Sequence, residues 1–217
     1  GGYTGSTSAS AQLGGLYQGT STGSALTLSS QIDASTNGND AAALLIQTVG
    51  GGGGRVGDVG SNANLGGTST ILGTPEGQAG GLEITLNSNL TSAGEGGAGA
   101  IVQTIGGGGG LAGAVDGNAS LGGLGLGNRS AGAISLTVDN QVSSGGSNAP
   151  GLLAQTIGGG GGSVDSVAGN FSAGRSGLLP NTGDTSAGNL DLTINSNARL
   201  FSLGAASPAM IAQTIGG

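Results

Sequence analysis

The chain has 217 residues, of which 53 are glycine, two are Phe, two are Tyr and none is Trp, Cys or His; charged residues make up 7% and the net charge is −7. Its basic complement is Arg55, Arg129, Arg175 and Arg199 with no lysine, which excludes a phosphate-neutralising surface for nucleic acid. No run of about 18 apolar residues exists to cross a membrane as a helix, and without cysteine there is no disulfide scaffold.

Hydrophobic residues still reach 35% and fall in short patterned runs, so the chain reads as folded rather than as a glycine-rich disordered segment. The first run to stand out is Leu13, followed by Leu26-Thr27-Leu28, by Gln31, and by Gln47-Thr48-Val49 leading into five glycines from Gly50. The same order returns as Leu65, Ile84-Thr85-Leu86, Asn89 and Gln103-Thr104-Ile105 with glycines from Gly106. It returns again as Leu121, Leu136-Thr137-Val138, Gln141 and Gln155-Thr156-Ile157 with glycines from Gly158. The last pass holds Ala173, Leu192-Thr193-Ile194, Asn197 and Gln213-Thr214-Ile215, and the chain stops at Gly216-Gly217. Columns recurring in one order define four imperfect repeats of about 54 residues, 1–54, 55–110, 111–162 and 163–217.

Within each repeat the apolar segments are β-branched, short and glycine-flanked, which favours strands over helices. Leu82-Glu83-Ile84-Thr85-Leu86 and Leu190-Asp191-Leu192-Thr193-Ile194 alternate apolar and polar residues, so one face is buried. Strands at constant spacing with no helix between them predict an all-β fold, a right-handed parallel β-solenoid, since parallel crossovers are nearly always right-handed. Three apolar segments per repeat suggest three turns of about 18 residues each, the alternative being two larger turns.

The recurring special residues read as structural. The glycine runs lack the Lys-Ser/Thr of a phosphate loop and mark a narrow face where backbones touch without room for Cβ. Asp58, Asp116 and Asp165 follow the glycines at drifting offsets, unlike a calcium-binding nonapeptide array, and read as solvated turn acids. Gln47, Gln103, Gln155 and Gln213 suggest amide ladders or bonds to turn carbonyls; with three turns per repeat they would not stack directly. Thr27, Thr85, Thr137 and Thr193 are too sparse for an ice-binding array. No His, Cys or Lys supplies a base or nucleophile, and the acids are scattered at non-equivalent positions. No catalytic residue, cofactor or metal is therefore expected, and the chain is expected not to be an enzyme.

The string Gly-Leu-Leu-Ala-Gln-Thr-Ile-Gly-Gly-Gly-Gly-Gly at 151–162 resembles the glycine-rich repeats of giant bacterial autotransporter-like and haemagglutinin-like surface adhesins. Its echo occurs in all four repeats. The resemblance implies secretion, an extracellular or cell-surface location, and a role in adhesion or surface architecture. Joining Gln213-Thr214-Ile215-Gly216-Gly217 to Gly1-Gly2 nearly regenerates the internal motif, so the expectation is a window on a longer solenoid or a subunit that self-associates end to end or laterally. The expected function is a rigid segment of a filament or adhesin stalk. The rival is a carbohydrate-binding or carbohydrate-cleaving β-helix, which needs clustered acids or aromatic platforms; Tyr3, Tyr17, Phe171 and Phe201 are dispersed.

Overall fold

A computed structural model describes residues 2–13, 16–17, 21–66, 68–69, 76–122, 129–159, 161–173 and 186–216. Gly1, Gly160, Arg175 and Gly217, named above, lie outside them. Among the described residues every regular element is a β-strand, and all the strand pairs are parallel. Five sheets hold four strands each, an all-β stack compatible with a β-solenoid.

In chain order the first sheet joins Gly2–Thr4, Gly54–Val56, Gly110–Val115 and Gly162–Val167, each beginning at or beside a glycine run. The leucine sheet follows, with Ala11–Leu13, Ala63–Leu65, Ala119–Leu121 and Phe171–Ala173. After it, Leu16–Tyr17 pairs with Thr68–Ser69 and Ser21–Thr22 with Glu76–Gln78. The threonine sheet comprises Leu26–Ser30, Leu82–Leu86, Ile134–Val138 and Leu190–Ile194. The serine sheet comprises Ala34–Thr36, Leu90–Ser92, Gln141–Ser144 and Arg199–Ser202. The glutamine sheet closes each pass with Leu44–Val49, Ala100–Ile105, Leu152–Ile157 and Met210–Ile215.

Every strand thus pairs with the equivalent strand one whole repeat away. Gln103 lies 56 residues from Gln47 and 52 from Gln155 and is in register with both. The expectation of three turns per repeat is overturned. The apolar segments of one repeat are successive faces of a single large turn, and none of them hydrogen-bonds to the next as a neighbouring rung.

Two positions also move by two residues. Ile84-Thr85-Leu86 pairs with Leu28-Ser29-Ser30, not with Leu26-Thr27-Leu28. Gln141 pairs with Arg199 rather than Asn197, and Asn89 contacts Asp33 rather than Gln31. The leucine and glutamine columns stand as read from the sequence.

The strands bury the faces their alternation demands. Leu82, Ile84 and Leu86 are at most 3% exposed while Glu83 points outward. They join Leu90, Ile134, Leu136, Val138, Val142, Ala100 and Val102 in a core enclosed by the threonine, serine and glutamine sheets. A second core, with Val56, Leu65, Ala112, Val115 and Leu121, lies between the first and leucine sheets. Ala98, Ile101 and Leu153 form a third cluster, against which Leu111 packs. The glutamine sheet is therefore covered on both faces, and all six residues of Ala100–Ile105 and of Leu152–Ile157 are buried. That explains why it lacks the apolar–polar alternation of a half-exposed strand, as in parallel sheets sandwiched between layers, and why its Gln and Thr need partners.

Candidate functional site: the glutamine column and the groove beside it

Three amide bonds run through the glutamine sheet. Gln47 Nε2 donates to Gln103 Oε1, Gln103 Nε2 to Gln155 Oε1, and Gln155 Nε2 to Gln213 Oε1, each at 2.6 Å. Gln103 and Gln155 are fully buried. A buried primary amide without partners is costly; stacking at a one-repeat interval lets each glutamine satisfy the next. Direct stacking, not expected for three turns per repeat, follows once each repeat is one turn.

The neighbouring threonine faces the other way and does a different job. Thr48, Thr104 and Thr156 donate through Oγ1 to the carbonyls of Gly80, Gly132 and Gly188 at 2.6–2.7 Å. Those glycines lie just ahead of the threonine-sheet strands of the following repeat. Gln-Thr thus ties a strand along the stack and across the turn at once.

The glycine run after it is packed on both sides. A Cβ on Gly106 would overlap the Arg129 carbonyl, and one on Gly107 the Arg129 side chain. Gly109, at φ +104, and Gly110, at φ +130, lie against the oxygens of Gly161 and Gly54 in adjoining repeats. Backbone amides of the runs also reach sideways: Gly53, Gly109 and Gly161 donate to Leu13, Leu65 and Leu121 at 2.9–3.2 Å. The run is a seam between the glutamine and leucine sheets, as the expectation of a narrow face with no room for Cβ requires.

Two further columns carry no obvious mark in the sequence. Asp40, Gly96, Asn148 and Ala206 precede their glutamine-sheet strands by four residues, all with φ between +52 and +66. Three of the four are residue types that tolerate this conformation. On another corner, Asn62 Oδ1 accepts the Asn118 N–H and Asn118 Oδ1 the Asn170 N–H, both at 2.8 Å.

Beside the glutamine sheet a groove gathers side chains from three repeats: Asp40, Arg55, Asp58, Glu95 and Asp165. Arg55 is 3% exposed and donates from Nη2 to Gly96 O at 2.5 Å. Asp40 accepts from Ser6 Oγ at 2.6 Å, and Asp58 from the Ala114 N–H at 2.8 Å. The Asp165 carboxyl is pushed up to about 6, mainly by lost hydration and further by Asp58 and Asp40, against the pull of Arg55. Acids that sequence spacing leaves scattered are thus brought to one groove, and Asp116 lines an adjoining hollow that shares Asp58 and Ser6 with it. No group of three acids among the described residues has metal-holding geometry. Of the aromatics, Phe171 is half exposed on the leucine sheet and Phe201 lies on the serine sheet, so they build no common platform. No described helix is long and apolar enough to cross a membrane.

Comparison with models of known families, with characterised proteins and with solved structures finds no match.

Proposed function

We propose that this chain is a structural segment of an extracellular bacterial filament or adhesin stalk. It is a right-handed solenoid of four imperfect repeats, acts by stiffness and stacking, and is not an enzyme. The observation that supports this reading best is the glutamine column: its amides are consumed by one another along the stack. Threonine, glycine and asparagine columns are likewise consumed by packing and backbone bonds. The resemblance of the Gln-Thr-Ile-glycine strings to surface-adhesin repeats supplies the extracellular setting.

Magnitude sharpens the proposal. Four strands stacked at about 4.8 Å span only about 19 Å, so this segment contributes length by repetition and not alone. Electron microscopy of the native material tests the reading. Thin stalks or fibres support it; discrete particles that bind or cleave polysaccharide overturn it. The second reading, carbohydrate binding or cleavage, draws its support from the acids around Arg55 in the groove. Under it, Asp165→Asn abolishes binding or cleavage of a polysaccharide while leaving the fold intact.

A further inference from the structure

Two dipeptides in the chain place Asn or Asp directly before glycine, Asn37-Gly38 and Asp116-Gly117. Such pairs are prone to ring closure, because glycine has no β-carbon to shield its nitrogen from the preceding side chain. The fold treats the two differently. The Gly117 N–H donates to the Ser61 carbonyl at 2.8 Å, and a Cβ on Gly117 would overlap Ser61 and Asn62. Its nitrogen is committed to the neighbouring turn and is held off the Asp116 carboxyl. Asn37 and Gly38 instead form the corner between the serine-sheet strand Ala34–Thr36 and the left-handed Asp40. Asn37 is exposed, and the Gly38 N–H has no hydrogen-bond acceptor among the described residues. That openness belongs to the corner and not to one turn's place in the stack. At the same position in the two enclosed turns, Ala93 and Gly145 are exposed as well. The N–H groups of Gly94 and Gly146 likewise meet no acceptor among the described residues, although a turn lies on either side of each. Ala93, Gly145 and Leu203 carry no amide, so within this column only Asn37 has a side chain that can react.

We propose that Asn37 is a site of spontaneous, one-way modification in the folded chain. The Gly38 nitrogen loses its proton and attacks Asn37 Cγ. The new C–N bond closes a succinimide ring while the Cγ–Nδ2 bond breaks and ammonia leaves. Water then opens the ring at either of its two carbonyls. One opening leaves an aspartyl residue at position 37; the other leaves an isoaspartyl residue, whose main chain runs through Cβ and Cγ. Both products add a negative charge to an already acidic chain. The isoaspartyl product also lengthens the corner. It displaces the Gly38 carbonyl from the Ala41 N–H, which donates to it at 3.2 Å, and from Gly94, which is stacked so closely on it that a Cβ would overlap. Aged copies of the chain therefore differ from fresh ones in charge and in the fit of this corner, whatever the chain's role.

Timed incubation of the purified 217-residue chain in mildly alkaline buffer tests it. The readout is peptide mapping by mass spectrometry, with fragmentation that separates aspartyl from isoaspartyl products. Conversion at Asn37 is expected to outrun that at every other asparagine and at Asp116. It should slow in mildly acidic buffer, where the attacking nitrogen keeps its proton. Gly38→Ala should slow it by roughly tenfold, since a β-carbon then crowds the nitrogen. If the stacked corner does not accept that β-carbon and the variant fails to fold by circular dichroism, Asn37→Gln decides. It changes an exposed side chain only, and the longer amide closes its ring far more slowly, so the acidic charge variants that accumulate in the parent should be lost. In urea Asp116 should isomerise as well, because unfolding releases Gly117 from Ser61. An Asn37 that converts no faster than the other asparagines overturns the inference. So does Asp116 isomerising as fast as Asn37 converts in the chain without urea.

Discussion

Ala206 occupies the left-handed position that Asp40, Gly96 and Asn148 fill in the other repeats, at φ +52. A β-carbon there is strained, and Ala206 is exposed, so its methyl buries little in return. Ala206→Gly should therefore stabilise the fold by about 0.5–1 kcal/mol, the relief of strain exceeding the added freedom of the unfolded chain; a higher urea midpoint at unchanged slope checks this. Gln103 is the opposite case. Gln103→Leu removes the acceptor of Gln47 and the donor to Gln155, leaving buried amide groups without partners. The expected loss is about 2–3 kcal/mol, read from the same titration, and a loss below about 0.5 kcal/mol would mean that water satisfies the column. At this scale the sequence was informative where a residue type is rare for its setting: a glutamine inside an apolar strand announces a partner. It was silent where the choice is loose, since Asp, Gly, Asn and Ala in one column share a backbone conformation and little else.

At the scale of the element, glycine runs separate two kinds of position. Gly109 combines φ +104 with overlap onto Gly161 of the adjoining repeat, while a Cβ on Gly5 meets nothing within 4 Å. Gly109→Ala should cost about 3 kcal/mol through strain and overpacking, and Gly5→Ala should be nearly silent; thermal melts of the two variants separate the outcomes. Equal melts would make the runs flexible connections instead of a seam. The threonine-sheet strands were legible from alternation, the strands of the first and serine sheets were not, and alignment was legible only in part. A slip of one residue turns a strand's apolar face outward and is easily seen, whereas a slip of two preserves the alternation. Thr27 was aligned with Thr85 for that reason, although Thr85 pairs with Ser29. The same ambiguity placed Gln31 and Asn197 in a column that belongs to Asp33 and Arg199. The glutamine column escaped the slip because the glycines following it fix its end.

For the whole molecule, the number of turns per repeat decides most of the rest. Periodicity reports which face a strand buries and does not report which strand lies beside it, so three apolar segments per repeat read as three turns. The recurrence of identical columns at 52–58 residues was the pairing itself. The groove was illegible because Asp40, Asp58 and Asp165 come from three repeats and occupy non-equivalent positions; only the stack brings them together. Lost hydration of Asp165, with a smaller push from Asp58 and Asp40, gives a pH signature. Asp165 holds its proton more tightly when folded, near 6 against an ordinary 3.8, so its ionisation opposes folding above about pH 6. That penalty is relieved on acidification and is absent below about pH 4, where both states are protonated. Asp165→Asn should raise the melting temperature at pH 8 and leave it unchanged at pH 3.5, and a stabilisation confined to acid would contradict the assignment.

The claim on which the account turns is that each repeat is one turn stacked in register on the next. Nuclear Overhauser contacts in isotopically labelled chain measure it directly, through the side-chain amides of the glutamine column and the backbone amides around them. The account predicts cross-peaks joining Gln47 with Gln103, Gln103 with Gln155, and Ile101 with Leu153. Contacts linking segments about 18 residues apart within one repeat, with none across the repeat interval, would contradict it.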